Sequence, residues 1–245
     1  VDEFLTSALM GTGQFCTNPG LVVLLAGAES EAFLAAVSKR FEAAPVGALL
    51  SKGVAESLAR GVEVPEQAGA KVLAGGKPST AAGFRHTNTL LRATAKQFIA
   101  APHVLQTECF GNASLAVVCE DVSELLGVLK SLEGNLTGCV YSDTAGSDDA
   151  VYDRIVPALR ERVGRLLNDK MPTGVAVSAA MNHGGPFPAT GHPGFTAVGI
   201  PTAIDRFAMW ACYDNVRETR LPDALKNKNP TGKLWRSIDG EWTQK

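Results

Sequence analysis

Short apolar runs alternate with amphipathic stretches along most of this chain, and that alternation restricts it to layered α/β architectures. Leu21-Val-Val-Leu-Leu25 reads as a fully buried strand, as do residues 114–119 and 136–142. Residues 71–74 and 89–93 read as two further strands, with a Gly/Pro/Ser turn over 75–82 between them. Helical spacing covers the start of the chain, where Phe4, Leu5, Ala8 and Leu9 share a face behind Asp2 and Glu3. It returns over 30–43, with Pro45 as a stop, and over 47–60, 95–100 and 122–132. Residues 148–163 are helical by pattern, with Pro157 expected to kink that helix or to sit near its start. Residues 165–168, 175–178 and 207–213 read as the last strands. The fold class is α/β, a layered sheet with helices on both faces.

One cysteine stands out against this pattern. Gly11-Thr-Gly-Gln-Phe-Cys16-Thr-Asn-Pro-Gly20 leads from the first helix into the first strand. Small residues there let a substrate approach the sulfur and leave backbone N–H groups free to point at a developing oxyanion. The residues alone leave two readings open, a nucleophile and an inert core cysteine, because the local sequence offers no base for the thiol. Glu108, taken alone, is an exposed loop acid. The stretch 182–201 is rich in Gly and Pro without a sustained period, as functional loops often are.

The cysteine run resembles the active-site segment of the aldehyde dehydrogenase superfamily. Glu108-Cys-Phe-Gly111 resembles that family's Glu-x-Phe-Gly motif. Asn168-Asp-Lys-Met-Pro-Thr-Gly174 and Asn182-His-Gly-Gly-Pro-Phe187-Pro-Ala-Thr follow in the family's order. The last motif, with Ala203-Ile-Asp-Arg-Phe207 and Leu221-Pro-Asp-Ala-Leu225, is similar to the branch holding the α-ketoglutarate semialdehyde (2,5-dioxovalerate) dehydrogenases and NADP-preferring relatives. The resemblance implies that Cys16 is the nucleophile of an NAD(P)-dependent aldehyde dehydrogenase, its own N–H forming half of an oxyanion hole. It implies that Glu108 binds the nicotinamide ribose and that Phe110 packs beside the nicotinamide. It makes Phe187 a substrate-pocket aromatic, or else a loop anchor, and offers Asn182 and His183 to polar groups of the substrate. Cys16, Glu108 and Phe187 are expected to share one concavity. Asn112 departs from the pattern, standing where much of the superfamily has Pro.

The same resemblance implies that residues 1–245 are the cysteine-bearing catalytic domain alone, with 221–245 as a polar tail. The dinucleotide-binding domain, the general base and the oxyanion asparagine belong upstream of Cys16, so the isolated chain is expected to be inactive and NAD or NADP to be bound mainly by the absent part. Related folds keep two alternatives, an acylating or phosphorylating reductase and a non-catalytic oligomerisation domain. The intact enzyme is expected to be a homo-oligomer.

Composition narrows the partners. A formal net charge of −2 gives no electrostatic footprint for nucleic acid or an anionic membrane. The longest apolar runs are too short to span a bilayer, and no secretory signal opens the chain. Five widely spread cysteines without a C-x-x-C point to a reducing cytoplasm rather than to a disulfide framework. Cys119 and Cys139 read as small core hydrophobes, and His86, His103, His183 and His192 lack metal-ligand spacing, so no metal is expected.

Overall fold

The structure, a computed structural model, describes residues 1–192, 196, 204 and 207–245. They fall into two units, Val1–Ile204 and Asp205–Lys245, the second beginning ahead of the polar tail that starts at Leu221.

The first unit opens with helix α1 (Asp2–Leu9), strand β1 (Leu21–Leu25) and helix α2 (Ala28–Ala43). Helix α3 (Lys52–Gln67), strands β2 (Lys71–Ala74) and β3 (Thr89–Thr94), and the short helices α4 (Ala95–Ala100) and α5 (Pro102–Leu105) follow. Strand β4 (Ala113–Cys119), helix α6 (Val122–Ser131), strand β5 (Asn135–Val140), helix α7 (Asp149–Arg160) and strand β6 (Val163–Asn168) complete it.

Four strands form a sheet in the order β1-β4-β3-β2, with β1 and β3 parallel to β4 and β2 antiparallel to β3. Every residue of β4 is buried, as its apolar sequence favours, and the one polar side chain, Ser114, spends its hydroxyl on a backbone carbonyl. Its side chains alternate between two cores with the two-residue period of a strand. Leu115, Val117 and Cys119 join Leu91, Leu58, Val62, Phe98, Val128 and Leu129 on one face. Ala116 and Val118 join Leu90, Phe4, Leu5, Leu34, Val37 and Phe41 on the other. There Phe4 stacks on Phe41 with centroids 6.1 Å apart. The helices therefore cover both faces. Strands β5 and β6 form a separate parallel pair joined by α7, whose Leu159 is buried with Val163 in the first of these cores.

Several details differ from the sequence reading. β1 is only half-buried, because it is an edge of its sheet and has a strand on one side alone. α3 starts later than residue 47, where Ser51 Oγ accepts the Val54 N–H at 3.3 Å, and it continues past residue 60 through Pro65. In α7, Pro157 lies in the last turn rather than near the start. Residues 175–178 are irregular, with Val177 79% exposed, and so are residues 207–213, where Phe207, Met209 and Trp210 are exposed. Neither run has a partner strand among the described residues. Within the stretch 182–201, residues 193–195 and 197–201 lie outside the described residues, as do Ala203, Asp205 and Arg206 of the motif at 203–207.

The second unit contains a hairpin, β7 (Arg236–Ile238) and β8 (Glu241–Thr243), which the polar composition of the tail hides. Its turn is Asp239-Gly240, both residues with positive φ, a pair that selects a two-residue hairpin turn. Asn229 closes the hairpin's base, its Nδ2 donating to the Leu234 and Gln244 carbonyls at 2.8 Å each.

Candidate active site

The path to Cys16 is set by Gly11, Thr12 and Gly13, which all have positive φ. Glycine is obligatory at position 13, since a Cβ there would lie 2.1 Å from the Gly111 carbonyl oxygen. The loop bearing Cys16 thus rests directly on the backbone of the Glu108–Gly111 segment. Gln14 reinforces it from the other side, its Oε1 accepting the Leu50 N–H at 2.8 Å and its Nε2 donating to Gly11 O at 2.9 Å. Past the cysteine, Ser114 Oγ of β4 donates to Pro19 O at 2.9 Å, and β1 begins. The thiol is consequently exposed, not part of the core.

Cys16 Sγ lies 3.1 Å from His183 Nε2, across 167 residues of sequence. This supplies the base that the local sequence lacks, since a neutral imidazole nitrogen at that distance can take the thiol proton. The Cys16 backbone N–H has no acceptor among the described residues and is free to donate to a bound oxygen. The segment carrying His183 is tied back to the cysteine loop by Thr173, whose Oγ1 lies 3.2 Å from Ser7 O and 3.4 Å from Thr17 O. Arg165 of β6 grips the same segment, donating to Pro172 O at 3.0 Å and contacting Met181 Sδ at 3.5 Å.

Glu108 is exposed and its carboxylate has no partner among the described residues, and Phe110 is 41% exposed. Both are available to a molecule placed against this face. The segment reaches the cysteine loop through Asn18, whose Nδ2 donates to Gly111 O at 3.2 Å. Asn112 is 1% exposed, and its amide donates to His86 O at 2.8 Å and Asn88 Oδ1 at 2.7 Å. These bonds fix the turn after Gly111, where the sequence departs from the family's proline.

Asn182 spends its side chain within its own loop, donating to Gly184 O at 3.4 Å and accepting from Thr196 Oγ1 at 3.1 Å. His183 is committed to Cys16 rather than standing free for substrate. Phe187 is 81% exposed and lines a hollow of about 570 Å³ with His103, Lys130, Glu133 and Arg162. Neither Cys16 nor Glu108 borders that hollow.

The remaining cysteines of the first unit are chemically quieter. Burial pushes the Cys109 thiol up to about 11, with the Glu108 charge adding to it. Burial likewise raises Cys119 to about 12, aided by Glu124 and Asp121. Cys139 rises to about 11 by burial, against a small opposing effect of Arg165. No cluster of three or more His, Cys, Asp or Glu suited to a metal occurs among the described residues.

An exposed thiol against an imidazole, on an α/β layer fold, is an arrangement that suits a covalent sulfur nucleophile. The sequence pattern of the aldehyde dehydrogenase family matches residues 1–185, which include Cys16, Glu108, Asn182 and His183 but stop short of Phe187. The chain belongs to the aldehyde dehydrogenase family. It is 38% identical to α-ketoglutaric semialdehyde dehydrogenase 2 of Azospirillum brasilense over 93% of its own length and 42% of that protein. It is 34% identical to α-ketoglutaric semialdehyde dehydrogenase of Acinetobacter baylyi over 99% of its length and 45% of that protein. The chain thus spans less than half the length of the curated relatives it matches. Among solved structures, a 1-pyrroline-5-carboxylate dehydrogenase shares the fold, with a TM-score of 0.63 at 24% identity, covering 75% of this chain and 35% of that one.

The Cys16–His183 pairing and the roles of Asn18, Gln14, Arg165 and Thr173 have no local signature. For His183 the one available signal is its place in the Asn182-His-Gly-Gly motif.

Proposed function

We propose that this chain supplies the nucleophile of an NAD(P)-dependent dehydrogenase that oxidises a carboxylated semialdehyde to a dicarboxylate. The observation that carries the reading is the exposed Cys16 thiol at 3.1 Å from His183 Nε2. His183 takes the thiol proton as Sγ adds to the aldehyde carbonyl, and the substrate is held as a thiohemiacetal on Cys16. The Cys16 N–H donates to the oxygen that was the carbonyl. The free carboxylate of Glu108 has two oxygens to accept from ribose hydroxyls, and the exposed ring of Phe110 offers an apolar wall, so both fit a nicotinamide nucleotide. When bound, that nucleotide would supply the hydride acceptor for the oxidation. The semialdehyde class is supported by the two relatives, which carry it in their names. Exposed Trp210, Trp235 and Trp242 support a homo-oligomeric enzyme, and five free cysteines support a cytoplasmic one.

Brief iodoacetamide labelling of the folded chain at pH 7 tests the nucleophile. Cys16 is expected to react before Cys109, Cys119 and Cys139, since a thiol with a pKa of 11 is thiolate only about once in 10⁴ molecules at that pH. Equal labelling of all four sites refutes the assignment. In the enzyme containing this chain, Cys16→Ser is expected to abolish NAD(P)H formation from 2,5-dioxopentanoate. A strict requirement for coenzyme A or phosphate would instead identify an acylating or phosphorylating reductase.

A further inference from the structure

The segment from Glu108 to Asn112 is held from three directions, and each hold has a separate origin in the sequence. The first comes from a proline. Pro65 lies inside α3 and has no N–H to give the carbonyl four residues earlier, so Gly61 O is left without its helical donor. Cys109 Sγ donates to that carbonyl at 2.9 Å. Gly61 also permits the approach, since a Cβ there would stand 3.1 Å from the same sulfur. The second hold is the buried amide of Asn112 on His86 O and Asn88 Oδ1, backed by the Thr89 N–H on Asn112 O at 2.9 Å. Asn88 is anchored in turn, its Nδ2 donating to Phe41 O at 3.1 Å and Ala44 O at 3.2 Å. These two fix the segment to α3 and to the sheet. Neither relates it to the thiol.

The third hold does. Asn18 stands two residues after Cys16, and its Nδ2 donates to Gly111 O at 3.2 Å. The orientation of the amide is unambiguous, because a carbonyl oxygen only accepts. Asn18 Oδ1 is buried and has no partner among the described residues, so the side chain is not there to satisfy both of its ends. Where Gly13 meets Gly111 there is backbone contact, which sets a minimum separation. The Asn18 bond sets a maximum.

Resting on the reading that Glu108 contacts the nucleotide, we propose that Asn18 is a positioning residue. It couples the Cys16 loop to the Glu108–Gly111 segment and so holds that segment in place to receive the nucleotide. Loss of one part-buried hydrogen bond of this kind corresponds to about a ten-fold effect.

The test uses Asn18→Asp, which keeps the shape but turns an oxygen toward Gly111 O, and Asn18→Ala, which buries no charge if the aspartate prevents folding. Hydrogen exchange by mass spectrometry on the 245-residue chain is expected to show peptide 108–113 exchanging about ten-fold faster, with β4 and α6 unchanged. In the enzyme containing this chain, KM for NAD(P)⁺ is expected to rise about ten-fold while kcat at saturating nucleotide stays within about two-fold. Unchanged exchange over 108–113 overturns the coupling. Faster exchange with an unchanged KM also overturns the proposal, since Asn18 would then be merely structural. Glu108→Gln in the same enzyme separates the two ideas. If it leaves KM for the nucleotide unmoved, the role of Glu108 is wrong, and the exchange result still decides whether Asn18 couples the loops.

Discussion

The loop that carries Cys16 and the loop that carries His183 meet at 3.1 Å but draw their order from different sources. The cysteine loop is pressed against Gly111, bonded to β4 through Ser114 and bonded to residues 48–50 through Gln14. Much of that support is backbone, and it rests on a four-stranded sheet whose central strand is wholly buried. The histidine loop lies on the half-exposed β5–β6 pair, where Gly164 admits the Gly184 carbonyl and Gly134 the Pro186 carbonyl, and Arg165 and Thr173 add side-chain bonds. Both loops are therefore seated by close glycine–backbone contacts, the nucleophile's on the four-stranded sheet and its partner's on the β5–β6 pair, and the second adds side-chain bonds that can be removed one at a time.

The same substitution on each loop gives the sharpest contrast. Gly13→Ala combines left-handed strain with a clash against immobile backbone and is expected to cost about 2–5 kcal/mol of stability. Urea midpoints would measure it, and a cost below 1 kcal/mol would mean that the close approach to Gly111 is not maintained. Next in size, His183→Ala is expected to slow iodoacetamide labelling of Cys16 at pH 7 by about ten-fold, the equivalent of one lost hydrogen-bonding partner at the sulfur. An unchanged rate would break the thiol–imidazole pairing while leaving the cysteine loop as described. Gly174→Ala, in the histidine loop, should cost only about 1–2 kcal/mol, for its φ is positive but nothing lies within 4 Å of the added Cβ. A cost matching that of Gly13→Ala would show that position 174 is closely packed as well.

A graded effect is expected with acid. His86 is buried beneath Asn112, and burial holds its pKa below the ordinary imidazole value, against a smaller opposing effect of its bond to Thr87 O. The unfolded chain then takes up the proton first. The stability His86 contributes is complete above its unfolded pKa of about 6.5 and is lost as pH falls below it. Denaturation at pH 7.5 and 5.0 should show a smaller acid loss in His86→Gln than in the parent chain. Equal losses would remove His86 from the support of the cysteine loop.

Local chemistry made much of the sheet readable. β4 is an apolar run broken only by Ser114, and the start of α4 is marked by Thr94 and Gln97, which cap it reciprocally. The Asp239-Gly240 turn was equally readable, but the polar residues around it concealed two short strands. The failures were tertiary. Residues 175–178 and 207–213 have strand-like composition, and a strand exists only where another backbone takes its hydrogen bonds. The start of α3 was set by the Ser51 cap rather than by the apolar residues before it. At the site, Cys16 and Glu108 could be found from their motifs. The pairing of Cys16 with His183 could not, because contact across 167 residues depends on how two sheets are arranged and leaves no period in the sequence.

β1 leaves a last consequence. Leu21-Val-Val-Leu-Leu25 has one neighbour, β4, and its outer edge shows unpaired backbone groups between half-exposed branched side chains. No Lys, Arg or Pro interrupts those five residues, and the nearest acidic groups, Glu29 and Glu31, lie beyond the strand on α2. Such an edge is a template for intermolecular strand addition and self-association. The strand that follows the Cys16 loop thus also offers, among the described residues, an edge on which a second strand could add. A lysine introduced at the centre of β1 would be the natural means of blocking that edge.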